Sequence, residues 1–186
     1  PELEDNENWF GMGVLLPNHR NMKNYSNGFL HFDIKSKSPV AIKVGVKSSR
    51  GGEFWIPLGD EKAEFGFPRD GEWQSVRVPL NRYANTDFHT IHQMFMIAGD
   101  APSSKLNLSI DNVWWQPSTA SPTPEKGDFG VFTETALHRS AGAFTPGEDG
   151  NFFIWEDTLA RGKQEPFEGS QSVSLRSVRG TDWSGA

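Results

Sequence analysis

Trp55 lies in the run Glu53-Phe54-Trp55-Ile56-Pro57-Leu58. In an extended chain successive side chains point to opposite faces, so Phe54, Ile56 and Leu58 share one side and Trp55 takes the other. Lys47 and Arg50 sit at the adjoining turn, Ser48-Ser49-Arg50-Gly51-Gly52. An indole among cations on a polar face is not needed for a core, but it suits one chemistry well. A pyranose ring lays its C–H face on an aromatic plane, and its hydroxyls need polar partners at the rim. Trp55, Lys47 and Arg50 are therefore candidate carbohydrate-binding residues. His31, on the polar side of an earlier run, joins them. Trp9 and Trp183 are further aromatic candidates, near the polar stretch His19-Arg20-Asn21.

Other chemistries find less support. Glycoside hydrolysis needs two carboxylates about 5 to 10 Å apart across the scissile bond. The adjacent pairs Glu148-Asp149 and Glu156-Asp157 would point to opposite faces of a strand. No Gly-x-Ser-x-Gly elbow or phosphate loop is present. The five histidines, His19, His31, His89, His92 and His138, show no metal-protease spacing. The residues point to binding rather than catalysis.

The elements that must position these residues read as strands. Asn27 to Leu80 holds four runs of alternating apolar and polar residues, each bounded by Gly, Pro, Ser or Asp. Leu30, Phe32 and Ile34, then Ile42, Val44 and Val46, then Phe54, Ile56 and Leu58, then Val76, Val78 and Leu80 predict a common core. The opposite side carries His31, Asp33, Lys35, Lys43, Lys47, Trp55, Ser75 and Arg77, read as one polar face. Trp9 to Leu16, the apolar run Gln93 to Ala98, and Leu106 to Trp115 predict further strands. Pro17 to Asn27 reads as a polar loop. Asn81 to His92 has room for one short helix, with Asp87 as its cap and Phe88, Ile91 and His92 at roughly helical spacing.

Nineteen glycines and twelve prolines in 186 residues agree with the many turns of an all-β chain. The formal charge of −6, without a basic run, argues against nucleic acid as a partner. No apolar run approaches the ~18 residues of a membrane span. The absence of cysteine excludes disulfides and thiolate chemistry.

The one compositional break is the Pro/Ser/Thr stretch at 119–127. Residues 1–118 predict the main part of a β-sandwich, with 119–127 as linker or surface loop. Residues 128–186 hold too few strands to stand alone. They are expected to complete the same sandwich, within one chain or by exchange between chains. The ending Asp182-Trp183-Ser184-Gly185-Ala186 echoes Asn8-Trp9-Phe10-Gly11-Met12, as in a permuted or out-of-phase tandem unit.

Rotated to start at about residue 128, the strand order resembles the galactose-binding-like jelly rolls appended to bacterial polysaccharide-degrading enzymes. The residues that carry the likeness are Glu168-Gly169-Ser170 before an alternating strand, Gly71-Glu72-Trp73-Gln74-Ser75-Val76-Arg77-Val78-Pro79-Leu80, and Ile110-Asp111-Asn112-Val113. The chain is most similar to the carbohydrate-binding-module-like C-terminal domain of exo-β-glucanases, and similar in pattern to calcium-containing modules. The resemblance implies an all-β jelly-roll sandwich, secreted or periplasmic, that is non-catalytic. Such a module binds a polysaccharide, a β-glucan or an algal galactan, and targets an attached glycoside hydrolase. It also implies a structural calcium, with Asp111, Glu134 and Glu168 at the positions of its ligands. The rival readings are a spacer sandwich docked on a catalytic domain and a small glycan-degrading enzyme.

Overall fold

The structure, a computed structural model, describes residues 9–60, 62–100, 106–117, 129–132, 139–140, 152–154, 159–161, 165–167 and 172–177. Among them the strands in chain order are β1 (Trp9–Arg20), β2 (Phe29–Ser36), β3 (Ile42–Ser48), β4 (Gly52–Leu58), β5 (Gln74–Pro79) and β6 (Ile91–Asp100). There follow β7 (Asn107–Gln116), β8 (Phe129–Phe132), β9 (Arg139–Ser140), β10 (Phe152–Ile154), β11 (Leu159–Arg161) and β12 (Val173–Ser177).

Two sheets face each other, antiparallel except for the β8–β9 pair. The five-stranded one has the order β10-β1-β6-β3-β4, and the seven-stranded one has the order β11-β12-β7-β2-β5 with β8 beside β7 and β9 beside β8. Strand β7 changes partner along its length: residues 107–110 pair with β12, and 113–115 pair with β8. Strands that follow the 119–127 stretch thus pair with β1 and β7, which precede it. The stretch itself and the Trp183 ending lie outside the described residues.

Alternation places the core between the sheets. Leu30, Phe32, Ile34, Ile42, Val44, Val46, Ile56, Leu58, Val76, Val78 and Leu80 are all buried in one cluster, with Phe54 partly buried against it. β1 adds Phe10, Met12, Val14 and Leu16, and β7 adds Leu108, Ile110, Val113 and Trp115. Trp115 is 0 % exposed and spans the interior. Its indole Nε1 donates to the carbonyl of Met94 on the other sheet at 3.1 Å. That carbonyl belongs to a bulge, where β6 carries one residue more than β1 opposite it. A bulge turns a backbone acceptor out of the ladder, and a buried indole N–H needs one.

A second bulge shapes β7. The register passes from His31↔Trp114 to Asp33↔Asp111, so β7 holds one extra residue there. Asn112 takes it up with φ of 49°, in the left-handed region that Asn tolerates best after Gly. The extra residue lets Ile110 and Val113 both face the core, while Asp111 and Trp114 both face outward.

Two expectations fail locally. No helix forms at 87–92: Asp87 instead accepts from the Thr90 hydroxyl and the His89 amide in a tight turn, and β6 begins at Ile91. Asp and Asn close such turns with the same geometry they use to cap helices. The polar stretch after Pro17 is not all loop, because β1 runs on to Arg20 beside Ile91.

Candidate functional site

Three side-chain rows cross the β3–β4 part of the outer face of the five-stranded sheet. The Ser48–Gly52 turn sets the β3–β4 register, so Lys47 faces Glu53, Gly45 faces Trp55 and Lys43 faces Pro57. Met96 of β6 stands beside Gly45, and Gly13 of β1 stands beside Met96. Gly13, Gly45 and Met96 are buried, so the open part of this face is its β3–β4 side, where Lys43, Glu53 and Pro57 are exposed.

Trp55 lies on that open side, half-buried and outside the sandwich. Its six-membered ring rests on Gly45: a Cβ added there would sit 2.6 Å from Cε3 and 2.8 Å from Cζ3. Two neighbours steady it. The indole Nε1 donates to Glu53 at 3.3 Å, and the Lys43 ammonium lies over the ring at 5.1 Å from its centroid. Lys47 is paired with Glu53 at 3.6 Å. The arrangement is a fixed aromatic plane flanked by a carboxylate and two ammonium groups.

The same strand leads to a groove. Pro57, two residues beyond Trp55 and on the same face, borders an open cavity of about 470 Å³. Phe65, Glu64, Arg82, Ile56, Gly59 and Ala63 complete its walls. Arg82 is hydrogen-bonded to Glu64, and its guanidinium lies 5.6 Å from the Phe65 centroid. Two residues of strand advance about 7 Å, so Pro57 carries the face on from Trp55 to this cavity, where Phe65, packed partly against the core, sits with the Arg82–Glu64 pair.

The chain belongs to the family Carbohydrate binding domain 30, whose pattern residues 2–117 match. It is a non-catalytic carbohydrate-binding module. Among solved structures, a family 30 carbohydrate binding module is similar, with 16% identity and a TM-score of 0.44. The match covers 63% of this chain and 64% of that one, so the chain spans less than two thirds of its length. No curated protein matches.

Within this family-30 module the other expected site residues fall in different places. Arg50 is exposed at the tip of the β3–β4 turn, and its charge acts on Asp87. Trp9 opens β1, beside Asp100.

His31 requires a correction. It does not share a surface with Trp55, because β2 and β5 belong to one sheet and β3 and β4 to the other. The polar residues read as one face therefore divide between the two outer faces. His31, Asp33, Ser75 and Arg77 lie opposite Lys43, Lys47 and Trp55, with the whole core between them. There the His31 ring stacks on buried Trp114, with centroids 4.0 Å apart and planes within 5°. Its Nε2 donates to Gln116 Oε1 at 3.0 Å. Arg77 caps the group by lying 3.5 Å over Phe29.

Burial lowers the His31 pKa to about 4, the Gln116 bond opposes this, and the Arg77 charge adds to it. The imidazole is neutral at pH 7. The unfolded chain takes up its proton near pH 6.5, so between about 6.5 and 4 it binds more protons than the folded chain. Stability is full above pH 6.5 and falls as pH drops toward 4. We expect the melting temperature to decline over that window. His31→Phe, which keeps the stack and cannot titrate, should flatten the decline in a pH series of thermal melts.

Asp111 is 1 % exposed on the seven-stranded sheet's outer side. One of its oxygens accepts from the Asn112 amide at 2.8 Å and the other from the Phe167 amide at 2.7 Å. Beside it Asp33 accepts from Asn112 Nδ2 at 2.9 Å and from the Ser75 hydroxyl. This network pins the β7 bulge. Glu134 and Glu168, the other residues at which the resemblance implies calcium ligands, lie outside the described residues. Among the described residues no group of three or more His, Asp or Glu could hold a metal ion. They do not by themselves make a calcium shell.

Reasoning from the sequence missed Lys43 and Gly45 as partners of Trp55. Counting inward from the Ser48–Gly52 turn would have found both, since paired positions keep a constant sum across a hairpin.

Proposed function

We propose that this module binds a neutral β-glucan along β4, with Trp55 as the stacking platform, and that it targets an attached glycoside hydrolase to that polymer. The observation that carries the reading is the Trp55 ring, seated on Gly45 outside the sandwich between Lys43 and Glu53. A sugar laid on the indole would find the Glu53 carboxylate as acceptor, and the Lys43 ammonium could swing from the ring to donate to a hydroxyl. The next units would run past Pro57 into the Phe65 groove, where the Arg82–Glu64 pair offers donors and an acceptor. Such a module acts where its polymer is, outside the cell or in the periplasm.

A sulfated algal galactan is the second reading, favoured by Lys43, which pairs with no carboxylate among the described residues. It has less support, because Lys47 and Arg82 are already neutralised by Glu53 and Glu64. Affinity electrophoresis against barley β-glucan, laminarin, agarose and carrageenan decides between them. We expect retardation in a β-glucan gel. Retardation in carrageenan alone would establish the galactan reading, and migration unchanged in all four gels would remove both.

A further inference from the structure

On the far side of the sandwich, Phe167 is exposed over 45 % of its surface, more than any other large hydrophobic side chain among the described residues. It is also firmly held. Residues 165–167 form a strap fixed at both ends. The indole Nε1 of Trp73, just before β5, donates to the Glu165 carbonyl at 3.2 Å. At the other end the Phe167 amide donates to Asp111 of β7 at 2.7 Å. The strap thus ties Asp111 of β7 to Trp73 at the start of β5, with β2 between those strands in the sheet. Trp73, half-buried, meets the Phe167 ring edge-to-face at 6.1 Å.

The structure thus commits two backbone hydrogen bonds, one of them to a buried carboxylate, to presenting one aromatic ring to solvent. Packing alone gives no reason for this, since an exposed ring contributes little to a core. A preorganised aromatic plane reduces the entropy cost of binding.

The surroundings select the ligand. Asp70, Glu72 and Glu165 are exposed, and Gln74 donates to Asp70 at 3.2 Å. Carboxylates and an amide around a ring accept from sugar hydroxyls and repel anionic polymers. We infer that Trp73 and Phe167 form a second binding site for a neutral polysaccharide chain, on the outer face opposite Trp55. The inference rests on the reading of the module as a β-glucan binder. With sites on opposite faces, one module can hold two chains at once and cross-link them.

The test uses the whole chain and soluble barley β-glucan, read by affinity electrophoresis and by light scattering of protein–polymer mixtures. The wild type should raise scattering by cross-linking. Phe167→Ala should lose the scattering while its retardation falls by less than about threefold, and Phe167→Trp should keep both. Trp55→Ala should keep a residual retardation that Trp55→Ala/Phe167→Ala loses. An unchanged melting temperature in Phe167→Ala confirms that the fold is intact. Scattering by Phe167→Ala equal to wild type overturns the second site. So does a sedimentation coefficient that drops in Phe167→Ala with sugar binding unaltered, which would assign the ring to contact with a second copy of the chain. If Trp55→Ala binds normally and Phe167→Ala does not bind, the far-side site stands and the Trp55 platform fails. Absence of wild-type retardation removes both.

Discussion

Trp55→Ala should weaken β-glucan binding by about 30-fold or more. Truncating a central aromatic anchor costs about 2 kcal/mol or more, and each 1.4 kcal/mol is about a factor of ten in affinity. The ring lies outside the sandwich, so the substitution should leave the fold intact. It removes one hydrogen bond to Glu53 and one ammonium–ring contact, both at the solvent-exposed surface. The melting temperature should therefore change little while affinity collapses, a separation that titration calorimetry and thermal melts together can read. Equal loss of stability and affinity would mean that the indole supports the sheet rather than a ligand. Trp55→Phe, which keeps a smaller plane without the N–H, should fall between wild type and Trp55→Ala.

Gly45→Ala tests the seat beneath the ring. The backbone of Gly45 is not in the left-handed region, so an alanine there carries no conformational penalty and the effect is steric. The new methyl would lie within 3 Å of two ring carbons and of the Met96 Cε. Met96 can move its flexible end, but the indole is held by Glu53 and Lys43 and must tilt or lift. Overpacking of this kind costs about 1 to 3 kcal/mol, which for a chain of this length lowers the melting temperature by roughly 2 to 4 °C per kcal/mol. Affinity should fall about tenfold as the platform leaves the line of the groove. In the Trp55→Ala background the same substitution should cost almost nothing, because its obstacle is gone. If the two costs simply add, ring and glycine are not coupled and the seat has no role in binding.

The buried faces were legible because the alternation is clean. Every core position assigned to β2, β3 and β5 is buried, and Phe54 at the edge is partly so. Trp55 was legible as an outward residue by the same count. Its neighbours were legible in principle, since a short turn fixes which residues oppose each other. The 87–92 turn was misread because an Asp that closes a turn and an Asp that caps a helix make the same local bonds. Trp114 and Trp115 could not be assigned individually: the Asn112 bulge shifts the phase of β7, and only its positive φ reveals the shift.

The amino-acid sequence by itself determined that the chain folds as paired ribbons with one oily and one wet side, and that a lone indole would sit on a wet side. Which wet side was decided only by the tertiary structure. Period-two alternation says that a residue points away from the core, but both sheets of a sandwich have an outward face and the same alternation serves either. The chain crosses between sheets from β2 to β3 and again from β4 to β5. Those crossings placed His31 and Arg77 on the face away from Trp55, whereas the β3–β4 hairpin itself keeps Lys43, Gly45 and Glu53 around the indole. Long-range pairing makes such choices, because its energy comes from burying faces against each other and not from any local preference of the chain.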